Sequence, residues 1–474
     1  MTPFARAPFI VIWETTRACA LACVHCRAEA MPHRDPGELD TVEGFRLIDR
    51  VAAFGDSPPL LVLTGGDPLR RPDVVDLVAH ARRRGVVVSL TPSGTGAATE
   101  VKLRALHDAG LARLAVSLDG ASADAHDAFR RVRGSHRQTL RILEHARALG
   151  LPLQVNTTVC RQTVDELPGL VPRIEALQPV LWALFFLIPV GRAQASQALD
   201  AEGIEGVLHW AAALAERVPF GVKTTEAPHY LRVVETRRRA AGAPPPASPG
   251  VLAPRPGALA DRVGRATRAV TDGNGFVFVD HQGHICPSGF LPIPAGNVRE
   301  RDLVAVYRDD PLFRALRDPS RFHGRCGRCE YRDRCGGSRA RAYAATGDPL
   351  AEDPGCAYTP AVTGPGAPIA GGSHGAASVA PDRVTEALRT VVDPEVGLSV
   401  VELGLIYGVA IDGGTVRITM TLTEPRCPLH AAMTDWVRQA VLGIPGVEGV
   451  EVALTFDPPW SSARVRDRVD PHRS

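Results

Sequence analysis

Six short apolar runs, separated by longer stretches of helical period, constrain this chain more than any other feature of its 474 residues. They are Phe9–Trp13, Leu60–Leu63, Val86–Leu90, Ala112–Leu118, Leu153–Val159 and Leu181–Ile188. Strands joined through helices return to the same end of a sheet and pair in parallel. From Pro8 to about Phe220 the pattern therefore predicts an α/β fold, a parallel sheet with crossover helices. In barrels of this kind the chemistry sits on loops leaving the carboxyl ends of the strands. Cys19, Cys23 and Cys26 follow the first run, Gly65-Gly-Asp-Pro68 the second, Thr91-Pro-Ser93 the third and Ser117-Leu-Asp119-Gly the fourth. The strand reading alone brings all four motifs to one face.

The three cysteines are spaced Cys-x3-Cys-x2-Cys. A cubane iron–sulfur cluster normally takes four cysteines, so a close trio leaves one iron open to an outside ligand. Zinc is a rival reading, with His25 completing a set of four, although zinc ligands usually come as Cys-x2-Cys or Cys/His pairs. A disulfide is weaker still, because a metal-competent group of thiols implies a reducing compartment; the expected location is cytoplasmic. On the trio and the strand-end motifs together, the chain resembles the radical SAM superfamily over roughly its first 220 residues. The resemblance implies a partial (β/α)6 barrel over residues 8–220, with a [4Fe-4S] cluster on Cys19, Cys23 and Cys26 as the catalytic group. It further implies that S-adenosylmethionine (SAM) chelates the open iron and is cleaved reductively to a 5′-deoxyadenosyl radical, which abstracts hydrogen from a substrate.

The same resemblance assigns SAM-binding positions. Gly65-Gly66-Asp67-Pro68 matches the family's Gly-Gly-Glu-Pro loop, with the shorter Asp in place of Glu. Its backbone and carboxylate would receive the SAM ammonium group, the glycines letting the main chain approach the ligand and the Pro fixing the exit from the strand. Ser117 and Asp119 would face the ribose and methionine parts, and Asn156 on the fifth run and Ser93, where relatives commonly carry Asn, would also face the ligand. Arg130 falls where similar proteins pair an arginine with the SAM carboxylate, a task suited to a planar guanidinium fork; Arg131 and Arg133 are the alternatives.

A second ligand set, Cys326-x2-Cys329-x5-Cys335 followed by Cys356, lies in residues 275–360, which resemble the SPASM/twitch extension of radical SAM enzymes. Four cysteines close a cubane, so the implied role is electron transfer or anchoring near the substrate, with zinc as the rival. Where a full SPASM module carries a further cysteine this chain has Arg339, and Ser288 stands near where relatives read Pro-Cys. One auxiliary [4Fe-4S] cluster is therefore expected instead of two. Cys286 reads as a spare ligand or a small buried hydrophobe, and Cys160 as core.

Pro, Ala and Gly concentrate in residues 240–256, inside a connecting segment read as 221–274, and in a linker read as 361–378. Residues 379–465 are long enough to fold alone. On Asp393-Pro-Glu395, Leu403-Gly-Leu-Ile-Tyr407, Thr421-Leu-Thr-Glu-Pro-Arg-Cys427-Pro and Asp457-Pro-Pro-Trp460, this tail resembles the small iron–sulfur assembly domain of SUF-type operons and of the phenylacetate-pathway protein PaaD. A small α+β domain is expected, with Cys427 at a helix start, where its thiolate would ligate or hand over iron; an inert cysteine in a binding module is the alternative.

Net charge is +2 with only two lysines, Lys102 and Lys223, so the Arg82–Arg84 and Arg237–Arg239 runs read as solvated helix ends and not as a nucleic-acid surface. The longest apolar run, Leu181–Val190, is half the length needed to cross a bilayer, so no membrane partner is expected. Cys23-Val-His-Cys-Arg-Ala28 looks like the heme-synthesis branch of the family, whose members remove carboxyl groups from, or otherwise modify, tetrapyrrole propionates. The expected activity is a radical SAM oxidoreductase or lyase acting on a tetrapyrrole side chain, with a reductase, flavodoxin or ferredoxin as electron donor. Two readings stay open beside it: a peptide-modifying maturase, and an iron–sulfur scaffold or carrier without radical catalysis. Thr224-Thr-Glu-Ala-Pro-His229-Tyr230 follows the barrel and approaches the substrate in this reading, with His229 a surface residue or a heme ligand.

Overall fold

The computed structural model describes residues 4–240, 242, 263, 269–360, 381–391, 393, 398–412, 414–423, 430–442, 444, 447 and 449–461. The chain divides into two units, Met1–Pro365 and Gly366–Ser474. In the first, the six apolar runs form strands β1 (Ile10–Glu14), β2 (Leu60–Thr64), β3 (Val88–Leu90), β4 (Arg113–Ser117), β5 (Leu153–Val159) and β6 (Leu181–Phe186), each paired in parallel with the next. Helices α1 (Thr41–Ala52), α2 (Val74–Arg83), α3 (Glu100–Ala109), α4 (Ala123–Arg130), α5 (Ser135–Ala148) and α6 (Leu167–Leu177) make the crossovers, and α7 (Ala201–Ala215) follows β6.

The sheet goes three strands further than the six apolar runs indicate. Residues 221–225, placed by sequence in a connecting segment, form strand β7 (Gly221–Thr225), parallel to β6, and helix α8 (Tyr230–Ala240) follows it. Gly-Val-Lys-Thr-Thr carries one large apolar side chain, Val222, which is buried in the core, so the strand has no apolar run to announce it. At the other edge, β8 (Phe276–Val279) pairs in parallel with β1 and carries the short antiparallel β9 (Ile285–Cys286). The order is β7-β6-β5-β4-β3-β2-β1-β8-β9, an open barrel extended by the cysteine-rich region.

Strand periodicity divides the barrel into two sides. Side chains at alternate positions point to opposite faces of a strand. Val11, Trp13, Leu61, Leu63, Leu114, Val116, Val155, Trp182, Leu184 and Val222 pack with the helices in one continuous core. The intervening positions, among them Ile12, Val62, Thr64, Ser89, Arg113, Ser117, Gln154, Asn156, Thr158, Lys223 and Thr225, line an internal cavity of about 400 Å³. The helix face is mainly apolar, with the buried Thr157 hydroxyl accepting from Trp182 Nε1 at 2.9 Å, and the cavity face carries most of the polar residues.

After β9 come the short helices α9 (Leu303–Asp309), α10 (Pro311–Leu316), α11 (Gly324–Arg328) and α12 (Arg339–Thr346). The second unit is an α+β fold with helix α13 (Pro381–Arg389), strands β10 (Ile406–Asp412) and β11 (Thr415–Met420), helix α14 (His430–Leu442) and strand β12 (Gly449–Leu454). β11 lies between antiparallel β10 and parallel β12, over a core that includes Val384, Leu388, Leu403, Val416, Ile418, Met420, Met433, Val437 and Val441. Trp460 closes it by donating its indole N–H to Leu403 O at 2.8 Å. Among the described residues no helix is long and apolar enough to cross a membrane.

Candidate active site

Cys19, Cys23 and Cys26 lie on the loop after β1 and all line the cavity. The loop is fixed from both ends. Cys19 N–H donates to Met31 O at 2.8 Å, and the buried Thr16 hydroxyl donates to Glu38 at 2.6 Å. Cys19 and Cys23 are buried and Cys26 is half-buried. Leu21 N–H points at Cys19 Sγ (3.3 Å), Ala30 N–H at Cys26 Sγ (3.4 Å) and Arg130 Nη1 at Cys23 Sγ (3.7 Å), so each sulfur faces a donor. Burial pushes the Cys19 and Cys23 thiols up, opposed at Cys23 chiefly by Arg130. Three soft sulfur donors on one wall of a sizeable cavity, each met by an N–H group, fit an iron–sulfur cluster with an open side.

The Gly65-Gly66 loop packs against this one. A Cβ on Gly65 (φ +145°) would lie 2.2 Å from Thr16 O, and one on Gly66 would lie 2.5 Å from Arg17 O. Gly66 N–H donates to Thr16 O and Asp67 N–H to Ala18 O, both at 2.7 Å. Glycine is required because backbone meets the cysteine-bearing backbone; both glycines also face the cavity.

Sequence-assigned positions separate into two groups. Gly65, Gly66, Ser93, Ser117, Arg130 and Asn156 line the cavity; Ser117 and Asn156 are register partners on β4 and β5. Asp67, Pro68 and Asp119 do not. Asp67 is fully buried, accepts from Thr95 Oγ1 (2.5 Å) and Leu69 N (3.2 Å), and has its carboxyl pushed up by burial despite the Thr95 hydrogen bond. Pro68, buried, opens a 3-10 turn (Pro68–Arg70). Asp119 accepts from Arg130 Nε (2.7 Å) and Nη2 and from Thr158 N (2.7 Å); burial works to raise its carboxyl, but Arg130 together with the Thr158 N–H and the neighbouring His25 and His126 holds it below its ordinary value. The result is a relay from Asp119 through Arg130 to Cys23. Arg131 and Arg133 are exposed, so the structure leaves Arg130 as the arginine of this segment on the cavity wall.

Several cavity residues were not legible as site residues. Arg192 follows β6 and sits against the cysteine loop, its N–H donating to Cys26 O at 3.0 Å. Its Nε and Nη2 are buried without a hydrogen-bond partner among the described residues. Arg27 reaches back to the buried Glu14 at 2.7 Å and stacks on Phe278, 4.6 Å from the ring centre. Glu226, Asp272 and Ser338 also line the cavity. His25 stacks on Phe129 at 4.2 Å, and burial pushes its ring down to about 3, leaving it neutral.

Cys326, Cys329, Cys335 and Cys356 surround a separate small pocket. Backbone N–H groups of Asp353 and Tyr331 reach Cys326 and Cys329, both at 3.4 Å, and those of Gly337 and Tyr358 reach Cys335 and Cys356. Arg339, at the departure from the SPASM pattern, is buried and donates to Pro349 O (3.1 Å), Ala351 O (2.6 Å) and Cys326 Sγ (3.6 Å). It braces the pocket wall in place of a ligand. Ser288 accepts from Phe290 N and Leu291 N in a turn. Cys286 lies buried on β9 with its thiol pushed up to about 12 by burial, and Cys160 packs with Phe129 and Leu187. His229 is buried and off the cavity wall, 4.0 Å from Asp353, contrary to a surface position. Cys427 lies outside the described residues. Among the described residues no three His, Cys, Asp or Glu side chains form a single-ion site.

The model of the radical SAM superfamily matches residues 13–171, and that of the iron-sulfur cluster assembly protein family matches residues 381–454. An AdoMet-dependent heme synthase of Methanosarcina barkeri is 39% identical over 362 residues, covering 76% of this chain and 99% of its own length. A second AdoMet-dependent heme synthase, from Oleidesulfovibrio alaskensis, is 37% identical, covering 74% of this chain and 87% of its own. The crystal structure of Streptococcus suis SuiB shares the fold, with a TM-score of 0.55 at 15% identity over 74% of this chain and 77% of its own.

Proposed function

Since this chain belongs to the radical SAM superfamily of enzymes, we propose that it is an oxidoreductase or lyase that acts on the carboxylate-bearing side chains of a tetrapyrrole. The scaffold-or-carrier reading gives way to an enzyme, because the chain matches AdoMet-dependent heme synthases over three quarters of its length. Cys19, Cys23 and Cys26 would hold the [4Fe-4S] cluster, which supplies reductive cleavage of SAM to a hydrogen-abstracting 5′-deoxyadenosyl radical. Gly65, Gly66, Ser93, Ser117, Arg130 and Asn156 form the wall on which SAM would be oriented. Arg130, held by Asp119, places a fixed positive charge beside Cys23, and Arg192 presents unpaired guanidinium nitrogens suited to a carboxylate. Cys326, Cys329, Cys335 and Cys356 would hold one closed auxiliary cluster, whose chemistry is electron transfer.

The observation that carries this reading is the three-thiol wall of a cavity that also presents Arg27, Arg192 and Lys223, cations that complement an anionic substrate. The test is anaerobic incubation of the reconstituted full-length protein with SAM, a strong reductant and iron coproporphyrin III, a porphyrin with four propionates. The expected result is 5′-deoxyadenosine formation with loss of carboxyl groups from the porphyrin by mass spectrometry, both absent in Cys23→Ala. Formation of 5′-deoxyadenosine with an unchanged porphyrin would overturn the substrate and leave the reaction class standing.

A further inference from the structure

Glu226, the residue directly after β7, holds a backbone conformation that side chains rarely adopt, with φ at +60°. Such strain persists where the surroundings over-determine it. Here they do. Ser338, at the start of α12, donates its hydroxyl to Glu226 Oε2 at 2.5 Å, and Arg341 Nη2 donates to Glu226 O at 2.7 Å. Asp272, buried, accepts from Ala340 N at 3.0 Å through Oδ2, so the start of α12 holds both carboxyls side by side, and the two interact electrostatically. Asp272 Oδ1 is buried with no donor among the described residues. Glu226, Asp272 and Ser338 all face the cavity.

Two adjacent carboxyls cannot both be ionised in an enclosed site, so a proton stays between them. Burial and Asp272 together push the Glu226 carboxyl well above its ordinary value, although Ser338 and Arg341 pull the other way. The neighbouring charges are Asp272, Arg341 with its partner Asp353 at 3.1 Å, and Lys223 on the same strand; the buried His229 ring beside Asp353 is neutral. Neither Glu226 nor Asp272 lies on a cysteine loop; Asp353 is the link to one, through its N–H to Cys326 Sγ at 3.4 Å.

We propose that the Glu226–Asp272 carboxyl pair is the docking point for a carboxyl group of the substrate. The inference rests on the tetrapyrrole reading and adds to it a polar anchor at the β7 side of the cavity. A third carboxyl joins the pair through hydrogen bonds only if a proton comes with it, since one proton cannot serve three carboxyls. Substrate binding is then proton-linked: the complex takes up a proton that free protein and free substrate do not hold together. A substrate N–H group at the same place would need no such uptake.

The test is calorimetric titration of the anaerobically reconstituted full-length protein with iron coproporphyrin III, near neutral pH, in buffers of different ionisation enthalpy. The expected result is uptake of about one proton per porphyrin. Glu226→Gln and Asp272→Asn should each abolish the uptake and weaken binding about tenfold, as loss of a hydrogen bond to a charged group does. Binding of the wild type without proton uptake, or uptake retained in both variants, overturns the docking role and leaves the tetrapyrrole reading intact. No binding to the wild type overturns the tetrapyrrole reading and the docking role with it. The wild-type measurement decides the matter even if a variant fails to fold.

Discussion

The two cysteine sets are held by different kinds of backbone, and the difference separates an open site from a closed one. Cys19, Cys23 and Cys26 hang on a loop pinned to the ends of β1, β2 and β6, and their sulfurs face a cavity that most of the barrel strands help to line. Cys326, Cys329, Cys335 and Cys356 sit on α11 and the turns around it, and among the described residues their pocket is lined by residues 325–360 of their own module. Both sets have N–H groups aimed at sulfur. What distinguishes them is the space opposite: the barrel cavity holds about 400 Å³, room for a substrate, and the module's pocket about 30 Å³.

The largest test of that contrast exchanges the lost ligand. Cys23→Ala should reduce 5′-deoxyadenosine formation below detection, because three cysteines are the minimum set at the open site. Cys356→Ala should leave SAM cleavage measurable and remove only the signal of a second reduced cluster from the electron paramagnetic resonance spectrum. Equal loss of cleavage in both variants would show that the division between open and closed sites is wrong.

A smaller effect sharpens the comparison through the buried ion pairs beside each set. Arg130–Asp119 stands behind Cys23, and Arg341–Asp353 stands behind Cys326. Removing one member of a buried pair leaves an uncompensated charge and costs about 3–5 kcal/mol. Arg130→Met and Arg341→Met should therefore destabilise the metal-free protein to similar degrees in urea denaturation. Only Arg130→Met should also weaken SAM binding to the loaded protein, since Arg130 lines the cavity and Arg341 does not. Parallel losses of SAM affinity would remove Arg130 from the SAM wall.

Six of the nine strands were legible because apolar runs report burial against helices, while β8, with Val277 and Val279 in the same core, lay within the cysteine-rich stretch and was not read as a strand. β5 matches its apolar run end to end, whereas β7 left no run, since its side chains beyond Val222 face the cavity. The cysteine loops were legible from local spacing. The inward turn of Asp67 and Asp119 was not, because it depends on Thr95 and Arg130, partners 28 and 11 residues away. Nor was the Glu226–Asp272 pair, which joins the end of β7 to a segment after α8 and to the start of α12. Arg192 looked like one more arginine in an arginine-rich chain until the fold set it beside Cys26.

The smallest effect distinguishes the two regions by acid. His229, buried beside the module, has its ring pushed down to about 4 by burial, against the pull of Asp353. The folded protein thus holds the ring neutral while the unfolded chain protonates it, so stability falls as pH drops from 6.5 to about 4. Glu14, buried under the cysteine loop, is held down to about 2, because Arg27 and His281 outweigh the burial that works to raise it. Its contribution is present above pH 4.5 and is lost as pH falls toward 2. Each contributes on the order of 3 kcal/mol at most. Urea midpoints of the metal-free protein, followed by circular dichroism across this range, should decline in two stages. His229→Gln should shrink the upper stage, which the buried His25 and His126 rings, pushed down to about 3 and about 4, share, and Glu14→Gln should shrink the lower one. If either substitution flattens both stages, the module and the barrel mouth respond to acid as one region, and the contrast between them does not extend to stability.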